Sequence, residues 1–450
     1  MTRAAPPSSG RADTGSVPLP TASTASAAPA ASGAPGRGAP GPARRVAASP
    51  VLLGVAVVLV HLWLGHAALT GPNQPMGDVL SVYSTWMQRG VGAGDWVGID
   101  RPWVYPLLAA VPMLLARVAG PEHYGTAWLT IVLLLDAAAL AVLTRGGRRE
   151  LAAAWWWLAF LVVLGPIAVG RIDAVTVALA LVGLLLLTAR PTLAAALLTV
   201  AAWVKVWPAA LVVAALIAVR RRRDVLTAAV TTSVVVVAIS LVLGSGATVL
   251  GFVGQQAGRG LQVESLTAVP WLWRAASGAA DTTVYYDREI LTFQVSGPGV
   301  ALAAQATTVV MAMVVLAVVL LGLRAVRSGA SAARLLAPLS LGLVTALIVT
   351  NKVGSPQFVS WLAVPVVVGL VLQRRGGPSF VVPAALSLVV AGLTQVIYPW
   401  CYDSLLAAEP WIVLVATLRG VAEVGLLALA GAQLWRLGRT TSAERGRMGA

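Results

Sequence analysis

From residue 51 onward the chain alternates long apolar runs with short polar or arginine-rich stretches. Apolar runs of about 20 residues mark transmembrane helices. Segments 51–69, 124–144, 151–169, 174–189, 225–244, 299–323, 335–350, 358–372, 379–397 and 411–432 carry that pattern. Two stretches break the rhythm. Residues 104–119 form a short run with Pro112 inside and Arg117 near its end, which reads as a re-entrant or surface-lying helix. Residues 191–219 are too long for one span, are basic at both ends, and hold Lys205 and Pro208 in the middle. Two helices, 191–204 and 206–219, resolve this, each about 21 Å long against a ~30 Å hydrocarbon core. The turn at Lys205 then falls within the outer leaflet, where irregular backbone is tolerated only when buried in protein or lining a cavity. The expectation is an all-α polytopic membrane protein with about twelve transmembrane helices.

The arginines set the orientation. Arg44 and Arg45 precede the first span. Further cations at 145–149, 190, 220–223, 324–334, 374–375 and 436 fall on every second turn. Positively charged loops stay on the cytoplasmic side. Both termini are therefore expected in the cytoplasm, with loops 70–123 and 245–298 outside a multi-pass protein of the cell membrane. Residues 1–47 are rich in Ala, Pro, Ser, Gly and Thr, too poor in apolar side chains to offset their ordering entropy, so a disordered tail is expected. No apolar core directly follows the start, so this is not read as a signal peptide. The transmembrane domain is placed at 48–435, followed by a basic cytoplasmic tail, 436–450. No internal repeat is visible, which counts against a secondary transporter.

Composition agrees with this pattern. The chain is 58% hydrophobic and 11% charged, against roughly 25% charged in soluble domains. A net charge of +15 would suggest nucleic acid in another setting. Here the cations sit between apolar runs and serve orientation, so no nucleic-acid partner is expected. The single cysteine, Cys401, allows no internal disulfide and no cysteine metal site. His61, His66 and His123 lack metal-ligand spacing, so neither a dedicated metal site nor a cofactor is expected.

Candidate chemistry gathers outside. The loop from Gly71 to Pro106 holds Asp78, Tyr83, Trp86, Asp95, Asp100, Arg101 and Tyr105. Asp78 can serve as a general base or cap the helix that follows it; Asp95 and Asp100 read as solvated loop acids. Arg171, Lys205, Arg259 and Lys352 fall on the outer face or in the outer leaflet. A charge at mid-membrane costs ~2.5–3.5 kcal/mol, so such residues need a partner or a purpose. Lys205 can meet an anionic ligand or pair with Asp173 or Asp136. Asp136 lies mid-span, where a structural partner is expected. Gln262, Glu264 and Ser265 can read sugar hydroxyls. Tyr83, Tyr105, Gln357 and Trp361 can line a pocket or anchor at the interface. A lipid or solute transporter is the rival class.

Several stretches in order resemble a known family: GDVLSVYSTW with a following YP pair, GRIDAV, WVKVWPAAL, RGLQVES and KVGSPQFVSWLAVP. They are similar to glycosyltransferase family 87, integral-membrane mannosyltransferases of the GT-C superclass that use polyprenyl-phosphate mannose. The resemblance covers roughly residues 50–435. It implies a GT-C fold with juxtamembrane helices in the first external loop and a catalytic Asp there, matched by Asp78. It implies a polyprenyl-phosphate sugar donor and a glycolipid or cell-wall glycan acceptor. Arg171, Lys205, Arg259 and Lys352 would hold the donor phosphate; Tyr83, Tyr105, Asp173, Gln262, Glu264 and Gln357 would meet sugar or acceptor. A divalent cation bridging phosphate and acid is compatible with these ligands. The chain departs from the family at Tyr105-Pro106-Leu107, where YPP is usual. A related enzyme using another lipid-linked sugar, such as a pentose, shares these features.

Overall fold

The computed structural model describes residues 49–145, 150–257 and 259–439. The expectations for the 1–47 tail, for Arg148 and Arg149, and for the tail beyond Arg439 lie outside the described residues. Helix α1 (Pro50–Thr70) opens behind Ser49, whose hydroxyl accepts from the Leu52 amide at 3.3 Å. Pro50 stands in the first turn, where its missing N–H leaves nothing unpaired. A π-helical turn, Asp78–Tyr83, runs into α2 (Ser84–Ala93), and α3 (Ala110–Arg117) lies in the same loop. Then come α4 (Tyr124–Thr144), α5 (Leu151–Leu164), α6 (Asp173–Leu186), α7 (Pro191–Val204), α8 (Ala209–Ala218) and α9 (Arg222–Val242). Short helices α10 (Gly251–Ala257) and α11 (Val269–Ala276) precede strands β1 (Thr283–Asp287) and β2 (Thr292–Ser296). The chain continues through α12 (Val300–Arg327), α13 (Ala332–Val349), α14 (Ala363–Leu372), α15 (Val381–Gln395), α16 (Tyr402–Leu406) and α17 (Pro410–Leu437).

Eight of the described segments are long and apolar enough to cross a membrane, and five shorter apolar helices accompany them. The all-α polytopic class stands. Every segment read as a span has its helix, but 151–169, 174–189, 191–204 and 206–219 are represented by the short helices α5 to α8. Residues 104–119 likewise give a short helix, Leu107–Arg117. Burial orders the bundle. Ala332–Val349 and Pro356–Arg375 are the most buried of these segments, with 78% and 89% of the residues in their apolar stretches buried, and form its centre. By contrast α9 and α12 expose Val234, Val309, Leu316 and other large apolar side chains, a surface suited to lipid.

The Lys205 break has a local cause. Lys205 leaves α7 in extended geometry (φ −153°, ψ 135°). Trp207 precedes Pro208, whose ring disfavours helix in the residue before it. The helix therefore stops, turns and restarts as α8. The 245–298 stretch contains a feature read from the sequence only as loop. β1 and β2 pair antiparallel, Thr283 opposite Ser296 and Asp287 opposite Thr292. Their β-branched and aromatic residues suit a pleated surface. Backbone bonds from Val263 to Phe293 O (3.0 Å) and from Val295 to Leu261 O (3.1 Å) join RGLQVES to the hairpin edge.

RGLQVES is also fastened to NKVGSPQ, because the Gln262 amide donates to Lys352 O at 2.9 Å. A glycine is needed there: a Cβ on Gly354 would lie 2.3 Å from Ser265 Cα and 2.6 Å from Glu264 O. Gly431, inside α17, faces open space instead. Gly354→Ala should therefore destabilise the purified protein by ~1–3 kcal/mol, the usual cost of overpacking. Gly431→Ala should be neutral or stabilising by up to about 1 kcal/mol. Thermal unfolding in detergent compares the two, and equal melting temperatures would contradict this packing.

Candidate active site

Asp78 opens the π-helical turn, a distortion that recurs at functional sites. Its Oδ2 lies 3.0 Å from Arg171 Nε; the Asp78 side chain is 41% exposed and that of Arg171 only 10%. Arg171 Nη1 donates to the carbonyls of Pro75 and Gly170 (the latter at 2.9 Å), and Nη2 to the Tyr398 hydroxyl at 3.4 Å. Tyr398 donates onward to Asn73 O at 3.0 Å, and Asn73 Nδ2 returns a bond to Pro399 O at 2.9 Å. The GRIDAV turn and the end of α15 thus grip the loop before Asp78. Asn73 and Gln74 hold left-handed φ values of 54° and 47° there. Gly170 allows the close approach, because a Cβ would sit 2.6 Å from Pro75 O.

Two residues beyond Arg171, Asp173 begins α6 with its side chain only 2% exposed. Its Oδ2 accepts from Lys205 Nζ at 2.6 Å and its Oδ1 from the Trp361 indole at 2.6 Å. Both oxygens are therefore engaged within the chain. Lys205 Nζ also stands 4.9 Å from the Phe358 ring centre, 5.7 Å from Tyr105 and 5.9 Å from Trp361. Ring faces attract a cation, and one bond to Asp173 leaves two of the three ammonium hydrogens for other acceptors. Trp361 stacks on Trp207 at 5.2 Å, and the Trp207 indole donates to Thr176 at 2.9 Å. Gln357 is buried in the same 356–362 turn as Phe358 and Trp361.

The 71–106 loop closes this side with rings. Tyr83 and Tyr105 meet hydroxyl to hydroxyl at 3.4 Å, and Trp86, Trp103 and Trp128 pack around them. Burial first, then the Asp78 carboxylate, pushes the Tyr105 phenol above its ordinary value, so it stays a hydrogen-bond donor. Asp95 and Asp100 hold their own loop, Asp95 on Arg101 at 2.7 Å and Asp100 on the Trp96 amide at 2.7 Å.

A second group surrounds RGLQVES. Arg259 lies in the field of Tyr105, and Lys352 in that of Arg259. Burial and then Arg259 lower the Lys352 amine below its usual range. Gln262 Nε2 donates to Ser355 at 3.4 Å. Glu264 Oε1 accepts from the Tyr402 hydroxyl at 2.6 Å; burial pushes this carboxyl up, although the Tyr402 bond opposes it. Three buried atoms in this motif have no hydrogen-bond partner: Arg259 Nε, Gln262 Oε1 and Glu264 Oε2. Tyr398 and Tyr402, edge to face at 5.1 Å, link the group to Arg171.

The candidates thus fall into two neighbouring sets, linked by the Tyr398–Tyr402 pair. Tyr398, Tyr402, Phe358 and Arg419 were not singled out from the sequence. Arg419, in α17, donates to Glu264 O and stands 3.5 Å from Glu423. An Arg and a Glu four apart in an apolar helix was the available signal. Tyr398 and Tyr402, likewise four apart, stood in the polar YPWCYD stretch. Asp136 has its partner in His61, at 3.0 Å. Among the described residues, no group of three His, Cys, Asp or Glu side chains converges as metal ligands would.

The model for glycosyltransferase family 87 matches residues 103–350, more than half of the chain. The matched stretch takes in Tyr105, Arg171, Asp173, Lys205, Arg259, Gln262 and Glu264; it begins after Asp78 and ends before Lys352. No curated protein matches the sequence. With its apolar helical bundle and a match of this extent, the chain belongs to glycosyltransferase family 87 and is a membrane glycosyltransferase.

Proposed function

We propose that the chain is an inverting GT-C transferase. It moves a sugar, mannose by the family resemblance, from a polyprenyl-phosphate donor to a hydroxyl of a glycolipid or cell-wall glycan on the outer face. The observation that carries this reading is the set of buried, unpartnered atoms on Arg259, Gln262 and Glu264, beside the Asp78–Arg171 pair. Buried polar atoms are ordinarily paired, and those left unpaired call for an explanation. A lipid-linked sugar phosphate supplies phosphate oxygens for the Arg259 N–H and hydroxyls for Gln262 and Glu264.

In this reading Asp78 takes the acceptor hydroxyl proton with the carboxylate oxygen that Arg171 leaves open. The acceptor oxygen bonds to the anomeric carbon as the bond from that carbon to the phosphate oxygen breaks. The departing polyprenyl phosphate takes the electron pair, and Lys205, Arg259 and Lys352 meet its charge. Arg171 adds its field and holds Asp78 in place. Asp173, with both oxygens engaged, orients Lys205 and Trp361. Inversion at a β-linked donor yields an α-linkage.

A transporter reading would draw on the buried His61–Asp136 and Arg419–Glu423 pairs. Both pairs are internal to the helical scaffold, whereas three unpartnered polar atoms gather in the single motif RGLQVES.

Asp78→Asn keeps the shape and the contact with Arg171 but removes the base, so transfer from polyprenyl-phosphate mannose in membranes should fall ~10²–10⁴-fold. Near-normal product formation would reject the assignment. Arg259→Ala should lower kcat/KM about tenfold or more, chiefly through a higher donor KM; a change confined to the acceptor KM would detach Arg259 from the phosphate. In a Cys401→Ser background, a cysteine replacing Lys205 should react with impermeant reagent from the outside only. Labelling from both sides would favour transport.

A further inference from the structure

Three segments that reach the candidate active site with one end enclose a separate cavity at the other. α5 starts at Glu150 and leads to the turn before Arg171. The 356–375 segment runs from Trp361 to Arg374 and Arg375. α15 runs from Val381 toward Tyr398. Helices of this length set the two places roughly 20 Å apart. The charge pattern puts the cavity on the cytoplasmic side.

The cavity measures about 320 Å³, within the ~300–1,000 Å³ of small-molecule sites. Ala153, Trp156, Leu370, Ala384 and Leu388 form apolar walls. The Trp156 indole donates to Ala384 O at 3.3 Å and ties two walls together. Val381 and Ala385, both exposed, stand at the mouth, so the slot opens sideways onto the apolar surface of the bundle. The other end is polar, with Glu150, Gln373 and Arg374. Gln373 Oε1 accepts from the Phe380 amide at 2.8 Å. The Glu150 side chain is 8% exposed, and its Oε1 lies 3.4 Å from Arg375 Nη2. Its Oε2 is buried with no hydrogen-bond partner.

An unpaired carboxylate oxygen at the head of an apolar slot calls for a hydrogen-bond donor. Arg374 in the lining, with Arg375 next to it on Glu150, adds positive charge that attracts an anion. The apolar walls, open toward lipid, call for a hydrocarbon chain. One class of molecule carries all three in that order. We propose that this cavity binds an aminophospholipid, with its ammonium on Glu150, its phosphate at Arg374 and Arg375, and an acyl chain along Trp156, Leu370 and Leu388. The bound lipid would brace the far ends of the segments that carry Arg171, Trp361 and Tyr398.

Native mass spectrometry of the detergent-solubilised full-length chain tests this with phosphatidylethanolamine and phosphatidylglycerol of matched acyl chains. The unaltered protein should retain one phosphatidylethanolamine per chain, severalfold in preference to phosphatidylglycerol. Ala385→Trp fills the mouth from an exposed position and should abolish that retention. Glu150→Gln should bring the two lipids toward parity. Equal retention of both lipids by the unaltered protein, preference for phosphatidylglycerol, or variants behaving like the unaltered protein would overturn the proposal. The readout is retained mass, so it does not depend on the role given to Asp78.

Discussion

Two carboxylate–cation pairs hold the candidate site together: Asp173 with Lys205, both largely buried, and Asp78 with Arg171, where the guanidinium is buried and the carboxylate is 41% exposed. An apolar bundle is a poor place for a lone charge, and removing one partner of a buried pair commonly costs 3–5 kcal/mol. On the proposed function, the pairing lets cations stand where a lipid phosphate would arrive without leaving them uncompensated beforehand. Arg171 does more than neutralise. Its remaining donors reach two carbonyls and a tyrosine hydroxyl, so the charge that faces Asp78 also anchors the loop that presents Asp78.

The scaffold explains why the pairs sit where they do. α5 to α8 are short, and a helix of 14 residues spans about 21 Å, less than the hydrocarbon core. Their ends bring turns, with their polar backbone, into the protein interior. GRIDAV and the Lys205 break are two such turns, and each carries one cation and lies against the other. Aromatic rings fill the space between them, where Trp207, Trp361 and Phe358 stack behind Lys205 while Tyr83, Tyr105 and Trp128 pack behind Asp78. Rings combine bulk with a face that tolerates positive charge, which suits the Lys205 ammonium in its apolar surroundings.

Much of this could be read from residue order. The break at Lys205 followed from the length of 191–219 and from Pro208, and Asp173 was one of two partners considered for Lys205. The His61–Asp136 pair was harder: a mid-span acid signals that it has a partner, but 75 residues separate it from the histidine. The β1–β2 hairpin and the Glu264–Tyr402 contact are not legible in the sequence, because the polar stretches around them look like ordinary loop. Each is held by contacts with remote segments, the hairpin by Leu261 and Val263, and Glu264 by Tyr402 and Arg419.

Taken alone, the sequence determined the class of molecule, the positions of its helices and which residues carry charge where charge is costly. Those properties are local: a helix announces itself by the length of an apolar run, and a buried charge by its neighbours in the chain. Only the tertiary structure decided which carboxylate meets which cation, that Asp173 has no free oxygen while Asp78 keeps one, and that RGLQVES retains unpaired atoms. Those outcomes depend on distances between segments tens to hundreds of residues apart, which the packing of the whole bundle sets.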